Sequence, residues 1–326
     1  MPGFTVMTWN VENLFRLQPN ASEDDEAVYA AKLTLLSEVI GRHDPDVVAL
    51  QEVGGAEPLA DLQAALMGAY PHATVSLFPD GRGIRVACLS KLAPDDRQDF
   101  ADFPAGAVFS MGAGTPVTRM GRGALKVRVT KEGVAVDVMT VHLKSKLLSF
   151  PRPWGTSFTP RNEQERAQVA GLALMRRAAE AVTVRIRANQ LIEGNDQVRL
   201  ILLGDMNDVP EAQTSLILTG PPGSEIGTLG FDRPDQGDDA RLFSLAPLMP
   251  EGQNFSRVHH GVGELLDQIL ASDTLLPIEA NGDRRLPAVL SDVDFADGLL
   301  SVSENPNLRA AEVAPDHAPV VATFQI

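Results

Sequence analysis

Apolar positions along the chain fall into short runs and helical stripes that predict alternating strands and helices. Residues 4–9 are rich in β-formers and predict a strand ending at Asn10-Val11-Glu12-Asn13. The acidic run 22–26 reads as disordered and leads into a helical pattern over 28–40, with Leu33, Leu36, Val39 and Ile40 at apolar positions. Residues 47–50 are continuously apolar, as in a central strand covered on both faces, and stop at Gln51-Glu52. A second helix is expected over 58–67, then strands near 73–77 and 85–90. Residues 124–129 and 134–141 predict a hairpin turning at Lys131-Glu132-Gly133, whose second strand delivers His142. A loop over 150–160 precedes the longest helical pattern, 161–192. Residues 200–203 predict a buried strand stopping at Gly204; 265–270 predict another, with Asp267 inside it, and 320–324 the last. The stretch 220–252 is rich in Gly, Pro and Asp, and 273–312 carries few periodic signals.

Strands arrive both in hairpins and through helices, which predicts an α/β protein with mixed sheets under helical cover rather than a purely parallel sheet. No internal repeat and no clean linker is evident; residues 220–252 offer the best boundary, yet strands on both sides end in the same chemistry. A single domain over 1–326 is expected.

Composition narrows the function. The chain has 326 residues and a formal net charge of −15, from 43 acidic and 28 basic residues. Such a field opposes polyanion binding through a broad basic surface, but leaves room for cleavage of a polyanion in a locally basic, metal-loaded cleft. The single cysteine, Cys88, excludes an internal disulfide and a cysteine-based metal site. The N-terminus enters a strand pattern without a basic leader or apolar h-region, and no stretch reaches transmembrane length, so a soluble cytoplasmic protein is expected.

The candidate chemistry sits at strand ends: Asn10, Glu12, Glu52, His142, Asp205, Asn207, Asp267, Asp316 and His317. Asp205 and Asn207, two apart on an extended tip, point the same way and suit a hydrated divalent metal and a water that must lose a proton; alternatively they form a turn or helix cap. Glu52 reads equally as a loop carboxylate, and His142 as a satisfied core histidine. Asp267 inside an apolar strand needs a partner, for which His317 is suited. Hard oxygen donors plus isolated histidines match Mg2+ or Mn2+ better than zinc. His259 and His260 are read as loop or surface residues, and the acidic run 232–239, which lacks calcium-loop spacing, as a solvated loop.

Seven motifs in order carry a family resemblance: Thr8-Trp9-Asn10-Val11-Glu12-Asn13-Leu14, Ala49-Leu50-Gln51-Glu52-Val53, Arg82-Gly83-Ile84-Arg85-Val86-Ala87, Thr140-Val141-His142-Leu143-Lys144-Ser145, Gly204-Asp205-Met206-Asn207-Asp208, Leu266-Asp267-Gln268-Ile269-Leu270-Ala271-Ser272 and Pro315-Asp316-His317-Ala318-Pro319-Val320. The chain resembles the endonuclease/exonuclease/phosphatase superfamily, which includes deoxyribonuclease I-like nucleases. The resemblance implies a four-layer α/β sandwich of two facing mixed β-sheets flanked by helices. It also implies a Mg2+ (or Mn2+) site with Glu52 as principal ligand and Asn10 and Glu12 beside it, and Asp316 near the metal. Asp205 would activate water with Asn207's help, His317 would donate to phosphate with Asp267 fixing its ring, and His142 would be a second donor. Gln268 stands where many members have histidine, and Arg85 where some nucleases place an acid partnered to the first histidine.

Between His142 and Arg166 lie Lys144, Lys146, Arg152 and Arg161 against only Glu163 and Glu165, a locally basic segment. Lys144, Lys146 and Arg161 are therefore expected to contact substrate phosphates. The expected activity is a metal-dependent phosphodiesterase acting on nucleic acid, foremost a DNA endonuclease. The alternatives are a phosphatase or phospholipase-type enzyme on a small or lipid phosphoester, and a catalytically silent binding module on the same scaffold.

Overall fold

A computed structural model describes residues 2–110, 116–195, 197–232, 240–303, 305, 309 and 312–326. Two six-stranded mixed sheets face each other. The first is built from β1 (Gly3–Leu14), β2 (Val47–Val53), β3 (His72–Val75), β4 (Arg85–Ser90), β15 (Ala288–Ser291) and β16 (Val320–Gln325), in the order β15-β16-β1-β2-β4-β3. The second contains β5 (Pro94–Asp102), β6 (Arg119–Lys131), β7 (Val134–His142), β10 (Leu200–Asp205), β11 (Leu242–Ser244) and β14 (Asp267–Ser272), in the order β11-β14-β10-β7-β6-β5. Two short hairpins, β8 (Phe150–Arg152) with β9 (Gly155–Ser157) and β12 (Arg257–His259) with β13 (Val262–Glu264), lie outside the sheets.

Inward side chains of both sheets, among them Phe4, Val47, Val86, Val127, Val138, Leu203, Ile269 and Phe324, form the central core. Helices α1 (Glu23–His43) and α2 (Ala56–Ala65) cover the outer face of the first sheet through Leu36, Ile40, Leu59 and Leu62. Helix α3 (Glu163–Ile192) covers the outer face of the second through Ala181, Val184 and Ala188; the short α4 (Gln213–Leu216) follows β10. The layers are helix, sheet, sheet, helix, as the resemblance implies.

Each sheet has one parallel pair joined through a helix, β1–α1–β2 and β7–α3–β10, flanked by antiparallel strands. When β1 is laid on β7 and β2 on β10, the two sheets have the same order and sense of pairing. The sequence shows no repeat because the likeness is one of pairing, which many apolar sequences satisfy. It matters for the site, since the carboxyl ends of both parallel pairs open at the same end of the sandwich, where ligands of such sheets bind.

Several local expectations change. The acidic run 22–26 is ordered: Ser22 caps α1, its hydroxyl accepting the Asp25 N–H at 3.1 Å while the Asp25 carboxylate accepts the Ser22 N–H. Four acids in that first turn, Glu23 to Glu26, face the positive end of the helix dipole, so a run that looks unstructured by charge is a helix start. The edge strand β5 is too polar to show a buried-strand pattern, and the short β15 has only four residues to show one. The hairpin turn is as expected, Glu132 (φ 50°) and Gly133 (φ 86°) both adopting the left-handed region that a two-residue turn requires. Of the acidic run 232–239, residues 233–239 lie outside the described residues. Among the described residues no helix is long and apolar enough to cross a membrane.

Candidate active site

Register explains why the strand ends meet. Asp205 is paired across the second sheet with His142 on β7 and with Asp267 on β14, so the three side chains share one face at the sandwich end. Asp205 Oδ2 lies 3.2 Å from His142 Nε2 and accepts the Asn10 side-chain amide at 3.0 Å, which ties the second sheet to β1. Asp205 Oδ1 accepts the Asn207 N–H at 2.8 Å, and the Asn207 amide donates to the Leu143 carbonyl at 3.0 Å. Gly204, at φ +144°, is what lets β10 sit so close to β7: a Cβ there would lie 2.0 Å from the Val141 carbonyl oxygen. Since the Val141 carbonyl belongs to the paired backbone of β7 and cannot move aside, Gly204→Ala is expected to destabilise the fold by about 4 kcal/mol or more, in the range of the most severe single substitutions. Denaturant unfolding measures this, and a loss under about 1 kcal/mol would contradict the close approach.

On the first sheet, β1 and β2 lose register past Asn10: four residues of β1 run opposite two of β2, from Asn10↔Gln51 to Leu14↔Val53. Glu12 (φ 46°), Asn13 (φ 55°) and Glu52 (φ 64°) all adopt left-handed backbone in this bulge, and Asn207 (φ 53°) does so across the cavity. Such conformations are held only where surrounding structure imposes them, and they re-aim side chains that a regular strand would turn into the core. Glu52 Oε2 accepts the Asn13 N–H at 3.1 Å, while Oε1 lies 4.0 Å from His142 Nε2. Beneath them, the buried Gln51 amide donates to Thr8 and Thr140 hydroxyls, both at 3.1 Å, pinning the two sheets together under the site.

His317 and Asp267 form a buried pair, Nδ1 to Oδ2, at 2.5 Å. The turn is fixed by the Trp9 indole, which donates to the His317 carbonyl at 2.8 Å, and the Ser256 hydroxyl accepts the Asp267 N–H at 3.0 Å. Burial opposes charge on His317, but Asp267, Asp316 and Asp205 around it overcome that and carry its pKa up to about 10, so it is an imidazolium at neutral pH. Burial would likewise raise Asp205, but the charges of His142 and His317 hold its carboxyl well below the ordinary range.

Glu12 has a different setting from Glu52. Its carboxylate is gripped by the Arg309 guanidinium at 2.9 and 3.0 Å and accepts the Asp316 N–H at 2.9 Å; the buried Lys32 ammonium donates to its carbonyl at 2.6 Å. Asp316 in turn accepts from Arg257 at 3.1 Å. Both carboxylates are therefore already balanced by cations, and Glu52 presents the less encumbered oxygen to the cavity. The donor set at this point, the Glu52 carboxylate with the Asn10 side-chain amide oxygen, fits a hard divalent cation. Atoms of Asp205, Asp267 and His317 also lie within 4.8 Å of one another. The 2.5 Å Asp267–His317 bond leaves no room for an ion between those two, because ligands at metal distances of about 2 Å are held roughly 3 Å apart.

A cavity of about 800 Å³ opens over these residues. Lys144 and Lys146 line it, Lys146 held by Asp208 at 3.1 Å and Glu264 at 3.2 Å. Arg161 is not brought there: it is exposed and paired with Glu165, which also holds Arg152. Arg85 is turned to the Ser76 carbonyl at 2.9 Å, and Gln268 to the Asp208 carbonyl at 2.7 Å. His259, on β12, is on the cavity wall rather than on an outer surface, because the β12–β13 hairpin folds over the site; His260, its ring 4.3 Å away, is exposed. Arg122, Arg176 and Arg257 also line the cavity, and no periodicity or motif marked them in the sequence.

The sequence model of the Endonuclease/Exonuclease/phosphatase family matches residues 7–292. The chain belongs to this family. Its members are hydrolases acting on phosphoester bonds. A search of curated proteins gave no match. Among solved structures, truncated Caenorhabditis elegans TDP2 matches with a TM-score of 0.59 and 15% identity, over 99% of this chain and 98% of that one. The human Nocturnin catalytic domain with bound sulfate matches with a TM-score of 0.56 and 15% identity, over 99% and 94%. Zebrafish (D. rerio) TDP2 complexed with single-strand DNA product gives 0.55 and 15%, over 99% and 99%. At these identities the likeness is one of fold.

Proposed function

We propose that this protein is a divalent-metal-dependent phosphodiesterase that cleaves DNA by in-line attack of water. The observation that carries the reading is the buried chain Asn10–Asp205–His142 set beside the Asp267–His317 pair, with one carboxylate held ionised and one imidazole held protonated in the same cavity. Asp205 accepts a hydrogen bond from the attacking water and orients it, with Asn207 fixing the carboxylate from behind through its backbone N–H. His317 donates from Nε2 to a phosphoryl oxygen, its ring set by Asp267 at Nδ1. His142 is the second donor on the opposite side of Asp205. Glu52, with Asn10 nearby, holds Mg2+ or Mn2+; when bound, the ion supplies charge neutralisation at the phosphoryl oxygens and acidifies water. Lys144 and Lys146 face the flanking phosphates. The zebrafish TDP2 solved with a single-strand DNA product supports a nucleic-acid substrate for this fold.

Nicking of supercoiled plasmid tests the reading. Wild type is expected to nick with Mg2+ or Mn2+ and to lose activity when EDTA removes the metal. Glu52→Gln is expected to weaken both metal affinity and turnover, about 10–100-fold in affinity by comparison with other perturbed sites. Plasmid left intact under every metal condition, with the protein folded, would sink the nuclease assignment.

A further inference from the structure

The cavity has a second, more basic wall beside the reaction centre. Arg122 on β6, Lys144 just beyond β7 and Arg176 on α3 line it, with Arg82 at its edge. Few negative charges answer them. Asp80 Oδ2 accepts from Arg122 Nε at 3.1 Å and lies 3.9 Å from Arg82 Nε, so one carboxylate faces two guanidiniums. The buried Glu180 carboxylate is largely used on backbone: its oxygens accept the Gly121 N–H at 2.8 Å and the Lys144 N–H at 2.6 Å, and Oε1 also lies 3.4 Å from Arg176 Nε. Four cations thus share two carboxylates, each of which also accepts two backbone amides.

Two further observations point to an anion as the missing partner. Arg122 is only 9% exposed, yet its Nη1 has no hydrogen-bond partner among the described residues, a state that buried guanidinium nitrogens rarely keep. Gly121 leaves space for the neighbouring guanidinium, since a Cβ there would lie 3.2 Å from Arg176 Nη2. The local field is also legible on Lys144, which burial and then Arg122 depress to about 8, with Arg176 and Arg177 adding to the effect against Glu180.

We propose that this wall is a second phosphate site, which takes a non-scissile phosphate of the substrate, Arg122 and Arg176 gripping its oxygens while the neighbouring centre attacks the phosphodiester. Two planar guanidiniums lining one wall suit a phosphate with free oxygens better than a single backbone diester, so the preferred substrates carry a terminal phosphate close to the bond cleaved. The inference rests on the phosphodiesterase reading for its kinetic arm only.

Titration calorimetry of the metal-free protein with inorganic phosphate is the direct test. Arg122→Gln and Arg176→Gln are each expected to weaken phosphate binding tenfold or more, whereas His317→Gln is expected to leave at least one phosphate bound. Arg176, a third exposed at its side chain, serves as the second variant should loss of the Arg122–Asp80 pair unfold the protein, as checked by circular dichroism. In the kinetic arm, wild type is expected to hydrolyse a thymidine dinucleotide bearing a 5′-phosphate at least tenfold better in kcat/KM than the same dinucleotide without it, and both variants to bring that ratio towards one. Phosphate affinity unchanged in a folded Arg176→Gln variant overturns the site, as does a wild-type ratio near one with both dinucleotides cleaved. If neither dinucleotide is cleaved, the phosphodiesterase reading fails by itself, and the calorimetric result still decides the anion site.

Discussion

Asp205→Asn is expected to lower kcat by about 10²–10⁴-fold, the span that a positioned general base contributes, while leaving divalent-metal affinity close to that of wild type. The amide keeps the size of the carboxylate and can still accept from the Asn207 N–H, but it removes the negative charge against which His142 and the Asn10 amide are set. Steady-state kinetics on a plasmid or oligonucleotide substrate, together with calorimetric titration of Mn2+, separate the two quantities. Glu52→Gln supplies the contrast, because it is expected to lose metal affinity as well as turnover. Equal loss of metal binding in the two variants would show that Asp205 is itself a ligand and would overturn the division of labour proposed above.

The second large effect concerns protons. His317 is carried up to about 10 by Asp267, Asp316 and Asp205 despite its burial, well above its ordinary value near 6.5. A raised pKa of this kind means that the proton stabilises the folded state. The contribution is fully present below about pH 6.5 and is lost as the pH climbs towards the folded-state value. Donation from His317 therefore persists through neutral pH, and the alkaline limb of the kcat/KM profile is expected near pH 10. Asp267→Asn removes the largest attractive partner and is expected to move that limb downward by about 1–3 units, with a fall in kcat/KM at pH 8 of up to about tenfold. The midpoint of thermal unfolding in the variant should also lose the part of its pH dependence that lies between the two values. An alkaline limb that stays in place in Asp267→Asn would falsify the assignment of His317 as the phosphate donor.

Much of this site was legible in the chain because strand ends are. An apolar run that stops at a polar residue places that residue at the edge of a sheet, and runs ending in Glu52, His142 and Asp205 could be read one by one. The hairpin turn at Glu132-Gly133 and the extent of α3 were likewise encoded in neighbouring residues. Asp267 was marked by its chemistry alone, since a carboxylate inside an apolar strand requires a partner, and His317 lies 2.5 Å from it. The start of α1 misled because acidic residues lower hydrophobicity, whereas a helix N-terminus is where their charge is favoured.

By itself, then, the sequence determined the central strands, their carboxyl-end chemistry and the mixed α/β architecture, all of which depend on residues within one segment or on the identity of single groups. Only the tertiary structure decided how charges are shared between segments. It set Glu12 against Arg309, 297 residues away along the chain, while leaving Glu52 facing the cavity. It turned Arg161 outward to Glu165, and it gathered Arg122 and Arg176 from a strand and a helix into the wall that Lys144 completes. The reason is physical: burial and Coulomb interaction depend on distance in space and on access to water, and neither is written in the spacing of residues along a chain.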